Sequence, residues 1–142
     1  MHPKEQLFAS CGADATIRIW NSSQMLKASD PFKDDLTALD WSSDGKFLVA
    51  GDRLGFIHLV DAVTLKELAT VGSSLVGKSD NAWVEDVKIS PNNKLVVFGS
   101  HGGLSKLEIV EILDGGKKLR QIKAADVKMS SALTHLDWSA DS

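Results

Sequence analysis

The sequence predicts an all-β protein, a partial β-propeller of four-stranded antiparallel blades. A strand that ends in a large apolar residue and then enters a polar turn occurs three times, ending at Trp41, Ile89 and Trp138. These positions are 48 and 49 residues apart, a period typical of propeller blades. Between them, short runs of alternating apolar and polar residues are separated by turn residues, as expected for successive strands.

The first part of the chain predicts half a blade, at residues 7–28. The predicted strands are 7–11 and 16–20, with a short outer strand at 25–28. In the second run, Ile17 and Ile19 face one way while Arg18 and Trp20 face the other, which is the period of a sheet.

Two complete blades are predicted next, at residues 36–71 and 83–123, and residues 133–142 are expected to form the first strand of a further blade. The predicted strands of the two blades are 36–41, 47–51, 56–61 and 66–71, then 83–90, 95–100, 106–112 and 119–123. Four antiparallel strands make one blade-sized sheet. Trp41 and Trp138 end an inner strand, so we expect both to be structural.

This number of blades does not close a ring, because propellers have about 4–8 blades. A blade that lacks a neighbour exposes apolar surface. We therefore expect either that the chain is a fragment of a longer protein or that copies complete one another. The isolated chain is expected to self-associate through its bare blade faces and the unpaired strand 133–138.

Composition narrows the classes of function. The 142 residues are 43% hydrophobic and 25% charged, which supports a core with a solvated surface. The net charge of −3 and the absence of a basic stretch with interleaved aromatic residues do not favour a nucleic-acid partner. The sequence shows no signal peptide, no apolar run of the ~20 residues that span a membrane, and one cysteine, Cys11. A cytoplasmic protein with no membrane partner is predicted.

No catalytic, cofactor or metal site is predicted. The four histidines, His2, His58, His101 and His135, lie far apart and lack cysteines or carboxylates at the spacing of metal ligands. No serine lies in a G-x-S-x-G motif. We expect His58 and His135 to be hydrogen-bonded structural side chains within strands, and Cys11 to be a buried structural thiol.

Partner contacts are expected on the loops at one end of the blades, because recognition is usually carried by loops on a rigid scaffold. This loop face would carry Asp14, Asp34, Asp35, Asp52, Arg53, Asp80, Asn81 and His101. Arg53 and His101 are the predicted partner contacts. The most basic stretch, 117–123, falls on an outer strand, where lysines discourage unwanted edge pairing. We favour that role over attraction of an acidic partner.

Residues 7–21, LFASCGADATIRIWN, resemble the second half of a WD repeat. The resemblance implies that Ser10, Asp14 and Trp20 belong to a hydrogen-bonded structural cluster. The later repeats depart from the pattern at the turn aspartate and at the strand-ending tryptophan. Leu54 and Gly102 stand in place of the aspartate, and Val60 and Val110 in place of the tryptophan.

Within the WD-repeat proteins, residues 83–142 resemble the echinoderm microtubule-associated protein-like family. The segments that carry the resemblance are ISPNNKLVVFGSH at 89–101 and SALTHLDWSADS at 131–142. Membership would imply a non-enzymatic protein that binds tubulin, regulates microtubules and uses no cofactor. The alternative is a general WD-repeat scaffold in a ciliary, signalling or ubiquitin-ligase complex. An enzyme is the third class, since a few hydrolytic enzymes are propellers.

Overall fold

The computed structural model describes residues 1–77, 82–100, 106–122 and 134–140, which contain three antiparallel sheets. The first sheet contains β1 (Phe8–Cys11), β2 (Ile17–Trp20) and β3 (Met25–Ala28). The second contains β4 (Leu36–Trp41), β5 (Phe47–Asp52), β6 (Phe56–Asp61) and β7 (Glu67–Gly72). The third contains β8 (Val84–Ile89), β9 (Leu95–Ser100), β10 (Lys106–Leu113) and β11 (Lys118–Ile122).

In each sheet, strands that follow one another in the chain are hydrogen-bonded neighbours. The predicted all-β class of four-stranded antiparallel blades is confirmed, and the strand ends in the three sheets agree with the predicted ends to within one residue wherever the chain is described. A short 3₁₀ turn, Asp114–Gly116, connects β10 to β11. The assignment of exact blade boundaries stays a prediction.

The second sheet packs between the other two because both of its faces are apolar. Leu48, Ala50 and Val60 face the first sheet, where they meet Ile17 and Ile19. Residues next to these in the sequence, such as Val49, point the other way and face the third sheet. On that side the buried core contains Ala38, Val49, Ile57, Val84, Val87, Ile89, Val96, Phe98 and Val110. A strand buried on both faces reads as a continuous apolar run, and five of the six residues of β5 are buried.

The inner strands of neighbouring sheets are linked by a repeated hydrogen bond. The backbone N–H of Ile89 donates to Asp40 Oδ2 at 2.9 Å. One blade further along, the N–H of Leu136 donates to Asp86 Oδ2 at 2.7 Å. Residues 134–140 therefore lie beside β8 as β8 lies beside β4.

The expected strand at 133–142 is not a strand in the part that the structure describes, residues 134–140. A strand is defined by its pairing, and no described strand pairs with this segment. The prediction that His135 lies within a strand is accordingly wrong, and its side chain is 73% exposed. Trp138 nevertheless contacts the neighbouring blade, because its indole N–H donates to Lys88 O at 3.2 Å.

Gly51 in β5 lies where the second and third sheets approach most closely. A Cβ at this position would stand 2.4 Å from Val84 Cγ1 and 2.5 Å from Val84 Cβ. We expect Gly51→Ala to lower the free energy of unfolding by about 1–3 kcal/mol, since overpacking forces the sheets apart. Denaturant unfolding monitored by tryptophan fluorescence measures the change.

Gly12→Ala is the matched control for this substitution. A Cβ at Gly12 would have Asp14 Oδ1 as its nearest neighbour, at 3.9 Å, which is an ordinary contact. Its effect should stay within about 0.5 kcal/mol. Equal effects of the two substitutions would contradict the close approach of the sheets.

Candidate functional site

A polar side chain occupies the same place in the last strand but one of each sheet. These three polar positions are Arg18 in β2, His58 in β6 and Glu108 in β10. Their partners on the preceding strand are Ser10, Ala50 and Phe98 respectively. His58 and Glu108 are 6% and 3% exposed, whereas the Arg18 side chain is 35% exposed.

His58 is held between two carboxylates. Its Nδ1 lies 2.7 Å from Glu67 Oε2, and its Nε2 lies 3.1 Å from Asp52 Oδ2. The ring of Phe32, in the connection from the first sheet, covers the imidazole with a centroid distance of 5.0 Å. The predicted hydrogen bonding of His58 is confirmed by these contacts, and its structural role stays a prediction.

The loop-face position predicted for Asp52 is wrong, because Asp52 is 1% exposed. Its Oδ1 accepts the backbone N–H groups of Leu54 and Phe56, at 2.9 and 2.8 Å. The turn between β5 and β6 leaves these two donors without strand partners, and a buried carboxylate satisfies them. Asp52 therefore holds the turn and His58 together.

The surroundings of His58 favour its charged form. Carboxylates only accept hydrogen bonds, so an imidazole bonded to Glu67 and Asp52 at once carries a hydrogen on both nitrogens. Burial alone would lower the pKa of His58, but hydrogen bonds and charge from Asp52 and Glu67 outweigh it and raise the pKa above 6.5.

This arrangement does not fit general-base catalysis. Both nitrogens of His58 are bonded to carboxylates, so neither is available to take a proton from a substrate. The hydroxyl of Thr70 is 3.5 Å from Nδ1, and it donates to Ile57 O at 3.1 Å. We conclude that the His58 cluster is electrostatic and structural.

A cleft of about 710 Å³ opens beside His58, between the connection from the first sheet and strands β6 and β7. Its apolar lining includes Phe32, Phe56 and Leu65, and its charged lining includes Asp30, Lys33 and Lys66. This cleft is not predicted by the sequence. Only the folded chain brings residues 28–33 against β6, and the one local signal is the polar His58 within an apolar strand.

Glu108 is satisfied by different partners from those of His58. Both of its carboxylate oxygens accept the backbone N–H of Ser74, at 3.1 and 3.0 Å. The amide of Gln121 also donates to Glu108, and Ser100 Oγ lies 3.5 Å away. Ser74 belongs to the connection from the second sheet, so a connection from the preceding sheet covers Glu108 as it covers His58.

Arg53, a predicted partner contact, is fixed at the surface by Asp35. Its backbone N–H donates to Asp35 O at 3.0 Å, and its guanidinium Nη1 lies 3.0 Å from Asp35 Oδ2. The Arg53 side chain is 57% exposed. Its role in binding stays a prediction. The other predicted contact, His101, lies outside the described residues, as do Asp80 and Asn81.

The residues predicted to form a structural cluster in the first sheet divide into two groups. The indole of Trp20 donates to Ser10 Oγ at 2.9 Å. Asp14 instead bonds within its own turn, to Arg18 and to Thr16 Oγ1, the latter at 2.9 Å. The hydrogen bond from Arg18 and the bonds from Thr16 lower the pKa of Asp14 despite the opposing effect of desolvation. The structural roles of Ser10, Asp14 and Trp20 stay predictions.

Trp41 ends β4 and is half-buried against the core between the first two sheets. Its indole N–H donates to Gly45 O at 3.2 Å, and the ring of His2 meets it edge-on at 4.8 Å. The equivalent Trp138 bonds a neighbouring blade instead. The structural role of Trp41 stays a prediction.

Strand β11, which carries the basic stretch, is the edge strand of the third sheet. Arg120 on this strand pairs with Glu111 of β10, and its side chain is 63% exposed. This position agrees with the predicted protection of an edge by basic side chains.

Cys11 is half-buried rather than fully buried. Burial, with a smaller contribution from the charge of Asp14, raises the pKa of the Cys11 thiol to about 11. In the described ranges, no three or more His, Cys, Asp or Glu side chains are grouped to hold a metal ion. The same part of the chain contains no helix long and apolar enough to cross a membrane.

Comparison with known proteins identifies the repeats. The WD domain, G-beta repeat family matches residues 1–21 and 24–61. These residues contain the first sheet and β4 to β6. Together with the antiparallel four-stranded sheets, the match supports WD-repeat blades of a partial propeller in this part of the chain.

Along almost its whole length, the chain is also similar to echinoderm microtubule-associated protein-like proteins. It is 28% identical to echinoderm microtubule-associated protein-like 2 of Rattus norvegicus over 99% of the chain and 20% of the relative. It is 27% identical to the 77 kDa echinoderm microtubule-associated protein of Lytechinus variegatus over 100% of the chain and 20% of the relative. The chain thus spans about a fifth of the length of these curated relatives.

The charged state of His58 predicts a pH dependence of stability. Because the folded pKa lies above 6.5, the stabilisation is fully present below the unfolded pKa and is lost as the pH rises through the folded pKa. We expect the free energy of unfolding to fall more steeply as the pH rises above about 6.5 in the wild-type chain than in His58→Gln. Urea unfolding at several pH values measures both slopes.

His135→Gln serves as the control, because its imidazole is 73% exposed and lies 3.2 Å from one carboxylate, Asp86, whereas His58 is buried between two. This variant should keep the wild-type slope. If His58→Gln also keeps it, His58 is not the charged group that the geometry indicates.

Proposed function

We propose that the chain belongs to a non-enzymatic, microtubule-binding WD-repeat protein that acts as a protein-interaction scaffold on microtubules in the cytoplasm. The observation that carries the proposal is the similarity to proteins named microtubule-associated, which covers 99% or more of the chain. The proposal includes the division into blades at residues 7–28, 36–71 and 83–123, with residues 133–142 in the place of the first strand of a further blade.

Contacts that hold Arg53 and its turn in place on the loop face support a binding role for this face. Arg53 lies in the turn between β5 and β6. The buried carboxylate of Asp52 accepts two backbone hydrogen bonds from the same turn. Asp35 fixes the guanidinium of Arg53 from the neighbouring connection, and the adjacent Leu54 is 47% exposed. A fixed cation beside an exposed apolar side chain suits protein recognition, because little conformational entropy is lost on binding.

Co-sedimentation with polymerised microtubules tests the proposal. The chain should appear in the pellet at low ionic strength, and the pelleted fraction should increase with microtubule concentration. A chain that stays in the supernatant at every microtubule concentration would overturn microtubule binding. Capture of stable adaptor subunits without tubulin would then favour the alternative, a scaffold of another complex.

Arg53→Glu tests whether the loop face takes part. We expect several-fold weaker co-sedimentation, because reversing a fixed surface charge weakens an electrostatically complementary interface. Arg120→Glu is a matched control, since Arg120 is also an exposed arginine paired with a carboxylate. It lies on the outer strand and should leave co-sedimentation unchanged. The reverse order of effects would assign binding to the basic stretch instead.

A further inference from the structure

The space between the outer strands of neighbouring sheets differs at the two sheet interfaces. Between the second and third sheets, β7 contacts β11, and Val71 and Leu119 both pack against the shared core. Between the first and second sheets, a cleft of about 710 Å³ remains beside His58. All residues that line this cleft lie between 28 and 70, so both of its walls belong to sheets that the structure describes.

The cleft extends along β6 from one end of the strand to the other. Leu54, in the turn between β5 and β6, lines it at one end, and Thr64, in the turn between β6 and β7, lines it at the other. β6 has six residues, and a strand rises about 3.3 Å per residue, so the cleft is about 20 Å long. This length fits an extended peptide better than a compact small molecule.

The walls of the cleft are apolar and are held in place by the core. Phe32 and Leu65 line the cleft and belong to the core between the first two sheets. Exposed apolar side chains lie at the two ends. Leu54 is 47% exposed, and Val63, in the turn between β6 and β7, is 74% exposed. Exposed apolar surface that continues into a cleft is typical of an interaction site.

Two carboxylates in the cleft already have a cationic partner. Asp52 and Glu67 lie 3.1 and 2.7 Å from the two nitrogens of His58. Asp52 also accepts two backbone hydrogen bonds from the turn between β5 and β6. A cationic group of a ligand would have to compete with His58 for these oxygens, so the cluster disfavours a basic ligand.

The two lysines that line the cleft are available to a ligand. Lys33 comes from the connection between the first two sheets and Lys66 from the turn between β6 and β7, so each wall contributes one ammonium group. Both residues are exposed. Among the described residues, no ion pair engages either ammonium group. Asp30, also in the lining, offsets one of the two positive charges. A carboxylate between the walls complements the other.

We propose that this cleft binds an extended segment of a partner protein in which an apolar side chain lies close to an aspartate or glutamate. The apolar side chain packs on Phe32, Phe56 and Leu65, and the carboxylate lies beside Lys33 or Lys66. Burial of the apolar side chain supplies most of the affinity, because ion pairs at exposed positions contribute little. The lysines select acidic over basic segments.

A random heptapeptide library tests the chemistry of the ligand. The library, displayed on phage, is selected against the immobilised 142-residue chain and, in parallel, against the double variant Lys33→Glu, Lys66→Glu. Selection on the wild-type chain should enrich sequences that place an aromatic or aliphatic residue close to Asp or Glu, and the double variant should not enrich them. Enrichment of basic sequences, or no enrichment on the wild-type chain, would overturn the proposal.

Charge reversals locate the bound peptide. An enriched peptide is labelled, and its affinity is measured by fluorescence anisotropy. Lys33→Glu and Lys66→Glu should each weaken binding several-fold, since each places a like charge beside the carboxylate. Lys94→Glu is the matched control, because Lys94 is also an exposed lysine but lies between β8 and β9. It should leave the affinity unchanged. Equal effects of all three substitutions would indicate attraction by net charge alone and would contradict a site in the cleft.

Filling the cleft tests the apolar contact. Thr70, in β7, is exposed and lines the cleft, and Thr70→Phe places a ring there in a strand that accommodates aromatic residues. Peptide binding should be lost. Leu68→Phe is the control on the same strand, since Leu68 is 36% exposed and outside the lining. Urea unfolding checks that both variants are folded. A folded Thr70→Phe variant with wild-type affinity would overturn the site. None of these measurements uses tubulin, so their outcome is independent of the proposed function.

Discussion

Each sheet of this protein depends on burial of its faces by neighbouring sheets. The second sheet shows this most fully, because Leu48 and Val49 are adjacent in β5, point to opposite faces and are both fully buried. The hydrophobic contribution is about 25 cal/mol per Å² of apolar surface removed from water. A sheet of this composition gains that contribution on both faces only between two neighbours, so its stability is a property of the stack.

The polar positions show how a stack of apolar faces accommodates charge. Arg18, His58 and Glu108 occupy equivalent places, yet one pairs with an aspartate, one lies between two carboxylates, and one accepts backbone and amide hydrogens. A buried polar group is costly unless it is hydrogen-bonded. The connection from the preceding sheet supplies a ring over His58 and an N–H to Glu108. The packing of the sheets thus fixes the path of the connecting loops.

Strands, their faces and the edge position of β11 could be predicted from sequence, because alternation and turn residues are local properties. The role of Asp52 could not, since a polar residue beside a turn looks exposed until the N–H groups of Leu54 and Phe56 are seen to need an acceptor. The contact of His58 with Glu67 depends on an irregularity in the pairing of β6 with β7, between Leu59 and Val60. Such a shift leaves no regular pattern in sequence.

Contacts between sheets are of two kinds, and they contribute differently. Contacts between apolar faces supply most of the stabilisation, but these contacts are non-directional and tolerate sliding of one sheet over another. The bonds from Ile89 N–H to Asp40 and from Leu136 N–H to Asp86 join one backbone position to one carboxylate. A shift of one residue would break such a bond and leave the carboxylate without its donor. Apolar burial therefore drives the stacking of blades, and the inner-strand carboxylates determine its register.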